Sequence, residues 1–207
     1  MESSRSGPRV LLWLAAFFGV LVWSGIQPKD YFTWLLEVTP ALIGIVVMGV
    51  TRRSFPLTTL AYSLILIHSI ILMVGGHYTY AEVPLGDWMR EAFSLARNNY
   101  DKLGHFAQGF VPAILAREIM IRLRVVNGVR WRAFLVICVC LAISAFYELV
   151  EWWVALLSQE AADSFLGTQG YVWDTQSDMA WALAGAVLAL LLLSRVHDRQ
   201  IAAVAGS

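Results

Sequence analysis

The chain has 207 residues, 58% of them hydrophobic and 14% charged. An average soluble domain carries about 25% charged residues, so a water-soluble fold is excluded. The fifteen basic and fifteen acidic residues cancel, and with no basic stripe to neutralise phosphates nucleic acid is excluded as a partner.

Apolar stretches of roughly 17 to 25 residues, each able to cross a bilayer core of about 30 Å, take up more than half of the chain. They leave no room for a separate soluble domain, so 1–207 reads as a single integral membrane domain of all-α class with six transmembrane helices. The first span, 10–26, follows Arg5 and Arg9 as a secretory signal does. Its apolar run is too long for a signal, no small-x-small site closes it and further spans follow, which marks an uncleaved membrane helix. The second, 31–50, contains Glu37 and Pro40; proline is tolerated where neighbouring helices satisfy the freed carbonyl. The third is 57–76. Between it and the fourth, 103–121, Leu85, Trp88, Met89, Ala92, Phe93 and Ala96 recur at helical spacing opposite Asp87, Arg90, Glu91, Ser94 and Arg97. That pattern predicts an interfacial helix over 85–97 lying on the outer leaflet or closing over what lies beneath.

The fifth span, 133–157, holds both cysteines. Cys138 and Cys140 point away from each other at a spacing of two on a helix, and read as small apolar filler. The segment 158–173 contains Gly167 and Gly170 and is expected to be irregular. The sixth span is 176–194. No internal repeat is visible, since the polar intramembrane residues crowd into the second half, whereas inverted-repeat transporters show matching halves.

One set of loops and termini holds eleven basic and three acidic residues, a net +8; the other set, with the adjoining halves of the spans, holds four basic and twelve acidic, a net −8. The positive-inside rule then puts both termini in the cytoplasm. Acids contribute little to topology, so their segregation to the outer side needs a second cause. Asp101, His105 and Gln108 share one face of the fourth span, Ser144, Glu148 and Glu151 one face of the fifth, and Asp174 and Asp178 lie one turn apart at the start of the sixth. Glu37 and His77 stand near the outer ends of the second and third spans.

Ionisable groups within a bilayer cost several kcal/mol (about 2.5–3.5 at mid-depth) and mark functional sites. Bundles build such sites from facing helices. Each group also has a plainer reading. Asp101 and Asp174 suit helix N-caps, His105 a hydrogen-bonded core histidine, and the whole set a structural ion-pair network with Arg97 and Lys102 as counter-ions. His68, alone midway along the third span, reads as structural. Glu148 and Glu151 are hardest to reduce to structure, because carboxylates one turn apart repel unless one is protonated or a cation lies between them.

The strings 98–106 (NNYDKLGHF), 147–152 (YELVEW) and 173–179 (WDTQSDM) resemble the YjdF-type family of bacterial inner-membrane proteins, over roughly 31–195. That resemblance implies a multi-pass architecture in the inner membrane and no particular chemistry. More distantly the chain resembles the VanZ-like family, in which Asp-Lys-x-x-His opens one helix, a Glu lies on the next and an Asp followed by Asn and Gly on a later one. Asp101, Lys102, His105, Glu148, Asp178 and Gly185 fall on that pattern, while Glu151 stands where Gln is usual and Ala182 where Asn is.

The functional expectation is an outward-facing intramembrane site for a lipid-linked or envelope substrate, with metal-assisted hydrolysis as the reaction class. Glu148, Glu151, His105 and Asp101 form the catalytic set, with Glu148 or Glu151 as general base. His105, Glu148, Asp174 and Asp178 are the candidate ligands of a divalent metal, zinc, magnesium or manganese. The alternatives are a cation or proton transporter, for which intramembrane carboxylates also serve, and a structural partner held by ion pairs.

Overall fold

A computed structural model describes residues 3–157 and 168–205. Every regular element among them is helical. In chain order they are α1 (Ser3–Gly25), α2 (Tyr31–Thr51), α3 (Thr59–Tyr78), a 3₁₀ turn (Tyr80–Glu82), α4 (Pro84–Ala92), α5 (Tyr100–Arg122), α6 (Val129–Leu157) and α7 (Asp174–Ala205). Five helices are long and apolar enough to cross a membrane: Gly7–Gly25, Tyr31–Thr51, Thr59–Tyr78, Val129–Leu157 and Asp174–Val204. The chain is thus a polytopic helical membrane protein. The fourth expected span corresponds to α5, which has 23 residues but also carries Asp101, Lys102, Arg117, Glu118 and Arg122.

Local chemistry sets the helix starts. Asp30 caps α2 by accepting from Thr33 N at 2.6 Å, and Thr58 caps α3 by accepting from Ala61 N at 3.3 Å; each satisfies an N–H that has no partner within the helix. The Asn98 side chain accepts from Tyr100 N at 3.0 Å, so α5 begins ahead of the expected apolar run. Asp101 lies inside the first turn rather than at the cap, and its side chain is free for other work. The interfacial segment is helical only over Pro84–Ala92; Ser94 has φ 51°, a left-handed conformation that ends a helix. Of the irregular segment expected over 158–173, residues 158–167 lie outside the described residues, and Gln169, Gly170, Val172 and Trp173 lie in turns.

The bundle is organised around α5. It packs most extensively on α7, and also on α6 and α3; α1 and α2 pack on α3. Small residues let α5 and α7 approach. A Cβ on Gly109 would lie 1.8 Å from the Ala182 carbonyl oxygen, and one on Gly185 2.1 Å from that of Phe106, the close backbone contact that small residues permit between membrane helices. Ala113, Ala186 and Ala189 continue this seam. On the other side, Phe17, Val38, Ala41, Leu72 and Met73 join α1, α2 and α3.

α7 continues well past the expected end at 194. Its last turns bury His197 and Ile201, and that contact extends the helix beyond the apolar run. Glu118 of α5 accepts from Thr58 N (3.0 Å), Thr58 Oγ1 (2.8 Å), Arg122 (2.9 Å) and His197 Nε2 (3.0 Å). Arg117 lies 3.2 Å from His197 Nδ1 and donates to Asp198 at 2.6 Å. A guanidinium only donates, so Nδ1 accepts and Nε2–H donates to Glu118. This cluster ties the start of α3 and the ends of α5 and α7 together, and its buried polar groups are satisfied.

Candidate functional site

At the opposite end of α5 a second polar cluster forms, and here the groups are not balanced. Glu37, Asp101, Glu148, Glu151, Asp174 and Asp178 are all buried, with the side chains of Lys102 and His105. Helical spacing explains why they meet: Asp101 and His105 are one turn apart on α5, Glu148 is one turn from Ser144 and from Glu151 on α6, and Asp178 is one turn beyond Asp174 on α7.

Lys102 anchors one half of the site. Its Nζ lies 2.5 Å from Asp178 Oδ1, 2.9 Å from Asp174 Oδ1 and 3.6 Å from Asp101 Oδ2. Arg97 reaches the same Asp174 oxygen at 2.5 Å and donates to the Thr168 carbonyl at 2.6 Å. Asp174 is therefore committed to two cations. Asn98 reinforces this corner by donating to the Val83 carbonyl at 3.0 Å.

His105 is the pivot of the other half. Nε2 lies 3.3 Å from Asp101 Oδ1 and 4.0 Å from Asp178 Oδ2; Nδ1 lies 3.2 Å from Gln108 Oε1 and 3.9 Å from Glu148 Oε1. Ligand atoms from His105, Glu148 and Glu151 lie within 4.8 Å of one another, as do those from Asp101, His105 and Asp178. Glu148 Oε1 and Asp101 Oδ2 are buried without a hydrogen-bond partner. A buried carboxylate oxygen left unpaired costs roughly 1–3 kcal/mol or more, so it marks a place where a proton, a cation or a substrate group belongs.

The ring of carboxylates is closed from the α2 side. Tyr147 donates to Glu37 Oε2 at 3.1 Å, and the Tyr80 phenol lies near the same carboxylate. Tyr80 is wedged between α3 and α5 where only glycine fits: a Cβ on Gly75 would fall 2.3 Å, and one on Gly104 2.7 Å, from its ring. Burial, with Glu37 alongside, pushes the Tyr80 phenol well above its ordinary value, so it remains a protonated donor.

The site opens into a cavity of about 780 Å³ lined by α2, α3, α5 and α6, within the few-hundred to about 1,000 Å³ range of small-molecule sites. Glu37, Tyr80, Asp101, His105, Gln108, Tyr147 and Glu151 line one end of it, together with His68. The His68 Nε2 has no hydrogen-bond partner, so a residue that sequence reasoning sets aside belongs to the cavity wall.

Of the residues singled out in sequence, Asp101, His105, Glu148, Glu151, Asp174 and Asp178 converge, with Lys102 and Arg97 as counter-ions. Glu37 joins them from α2. His77 does not: its Nδ1 lies 3.0 Å from the Ser24 carbonyl oxygen and its ring packs on Trp23 at 4.6 Å. Tyr80 and Tyr147 carry no charge and sit among other aromatics, so no sequence signal separates them from packing residues.

Comparison with known proteins agrees with this architecture. The family model described as predicted membrane protein (DUF2238) matches residues 9–199. The inner membrane protein YjdF of Escherichia coli (strain K12) is 56% identical over 182 residues, which is 88% of this chain and 87% of that protein. No solved structure matches the chain.

Proposed function

The chain belongs to the DUF2238 family of predicted membrane proteins, and on that premise we propose that it is an inner-membrane hydrolase that uses a divalent metal on a lipid-linked or envelope substrate. In this reading α5 also crosses the membrane, as the fourth of six spans, both termini are cytoplasmic and the carboxylate cluster faces outward. The short helix α4, with Leu85, Trp88 and Phe93 exposed, rests in the outer interface beside the site.

The observation that carries the proposal is the state of Glu148. Its Oε1 is buried and unpartnered, 3.9 Å from His105 Nδ1 and grouped with Glu151. The site also holds six carboxylates against Arg97, Lys102 and one imidazole, a surplus of negative charge that burial does not tolerate without a cation or bound protons. His105, Glu148 and Glu151 supply one nitrogen and carboxylate oxygens, a donor set suited to zinc or manganese with a position open for water. Asp101 at Nε2 would then hold the imidazole in the tautomer that presents Nδ1 to the metal, the carboxylate–histidine arrangement common behind metal ligands, with the Gln108 amide turned away from its 3.2 Å contact at Nδ1. Glu151, which faces the cavity, would complete the ligand set, and Asp178 would hold Lys102 beside it. A metal held there would supply a water of lowered pKa and a Lewis acid for the scissile oxygen.

The geometry refines the ligand set expected from sequence. Asp174 is bound by Arg97 and Lys102 and Asp178 by Lys102, so in this proposal they position Lys102 and Glu151 replaces Asp174 as ligand. A structural ion-pair network accounts for Arg97, Lys102, Asp174 and Asp178 but gives the Glu148 oxygen only the 3.9 Å contact with His105 and no hydrogen bond. Elemental analysis of the purified full-length protein tests the proposal. One equivalent of zinc or manganese, lost in Glu148→Gln, is the expected result. Metal-free protein with unchanged thermal stability in that variant overturns it, and ion flux in proteoliposomes that disappears in Asp178→Asn would assign the site to transport instead.

A further inference from the structure

The cavity is much larger than the polar cluster needs, and its character changes along its length. Beyond His68, Ser69 and Gln108 its walls are almost wholly apolar as far as Phe55 and Leu57 at the far end. The floor is made by buried Met48, Leu72 and Val111, whereas Ile43 and Val47 on α2 and Ile143 and Phe146 on α6 are exposed along the rims. α2 packs closely on α3, and α6 on α5 and α7, whereas α2 and α6 are joined at the polar end by the Tyr147–Glu37 hydrogen bond and pack on each other far less than on those neighbours. The cavity is therefore a groove open sideways between two helices that are both apolar enough to span a membrane.

We infer that this groove is a lateral entry and seat for the hydrocarbon chain of a membrane lipid whose polar head lies at the carboxylate–histidine end. Three observations favour a lipid chain over other occupants. The opening lies between bilayer-spanning helices, so it faces the hydrocarbon core and not water. An apolar groove has no polar partners to hold ordered water. The apolar part, from Pro40 to Thr51, spans about eleven helical rises or roughly 17 Å at 1.5 Å each, close to the depth of one leaflet, about 15 Å. The groove is also continuous with Glu37, His105 and Glu151, so a chain lying in it delivers its head to the reacting groups without leaving the membrane. This deepens the proposed activity and rests on it only at the polar end.

Gly44 gives the test. It lines the groove, and a Cβ there meets no atom within 4 Å; the same is true of Gly49 on the same helix, which does not line it. Gly44→Phe therefore fills the groove without disturbing helix packing, and Gly49→Phe is the matched control. The probe is a diazirine-bearing palmitic acid photolysed with the full-length protein in detergent, with labelled peptides identified by mass spectrometry. Labelling is expected at Val47, Met48 and Ile119, falling about tenfold in Gly44→Phe, the factor that some 1.4 kcal/mol of overpacking produces, and unchanged in Gly49→Phe. Equal labelling of lipid-facing residues outside the groove, such as Leu11 and Leu191, with no response to Gly44→Phe would overturn the inference. So would cross-links between two copies through the groove, which would make it an oligomer interface. Metal content in Gly44→Phe separates the two readings: metal retained with chain labelling lost is expected, and absence of metal from wild type and every variant, with wild-type labelling still lost in Gly44→Phe, overturns the hydrolase alone.

Discussion

Replacing Lys102 with Met removes the ammonium from the centre of the carboxylate cluster while keeping most of the side-chain volume. The structure sets the size of the effect. Asp178 loses a contact of 2.5 Å and Asp101 one of 3.6 Å, whereas Asp174 keeps Arg97 at 2.5 Å. Both carboxylates are buried, and although Asp101 keeps His105 at 3.3 Å, water cannot fully replace the partner that Asp178 loses. Breaking a buried ion pair by removing one member costs about 3–5 kcal/mol, which for a chain of this size lowers the melting temperature by roughly 6–20 °C. Asp178→Asn in the same background removes the unpaired charge and is expected to restore much of the loss. The assay is thermal unfolding of the four purified proteins of the double-mutant cycle in one detergent, followed by the monodisperse fraction remaining. Two groups in contact should couple by at least about 0.5 kcal/mol. Lys102→Met within about 2 °C of wild type, a shift under 1 kcal/mol at this size, or strictly additive effects, would refute the assignment of Lys102 as the cluster's structural cation.

Four further outcomes are expected. Gly109→Ala places a methyl group 1.8 Å from the Ala182 carbonyl oxygen and should separate α5 from α7, so folded yield should fall sharply while Gly44→Ala stays near wild type in the same preparation. Glu118→Ala strips partners from Thr58, Arg122 and His197 and should destabilise by about 3–5 kcal/mol, with Glu118→Gln milder, as measured by thermal unfolding. Tyr147→Phe removes the donor to Glu37 and should cost about 1–3 kcal/mol as a buried acceptor loses a partner. Reporter fusions at residues 126 and 207 should be active only in the cytoplasm and one at residue 97 only outside; any other pattern contradicts the proposed topology.

How much of this was legible in the sequence depends on the range of the interaction. Hydropathy marks α1, α2, α3, α6 and α7, because each must present an apolar surface to lipid. Helical spacing likewise puts Asp101 with His105 and Glu148 with Glu151 on single faces. Contacts between distant segments are hidden from both signals. His197 meets Glu118 across 79 residues, and that contact carries α7 beyond its apolar run. Asn98 starts α5 by a side-chain bond, and Ser94 ends the short helix α4 early through its backbone conformation, neither of which changes local hydropathy. The groove is a property of how far apart α2 and α6 stand, so Gly44, Met48 and His68 look like ordinary span residues until the helices are assembled.

The proposed hydrolase requires that His105, Glu148 and Glu151 share a metal ion. An anomalous-difference map, from crystals of the full-length protein grown with zinc or manganese and recorded at the edge of each metal, tests it most directly. One peak is expected, with His105 nitrogen and the two glutamate oxygens at about 2.0–2.2 Å in the zinc case, and no peak there in Glu148→Gln. A map without density at that position, with Glu148 Oε1 bonded to a water or to a neighbouring side chain, would contradict it.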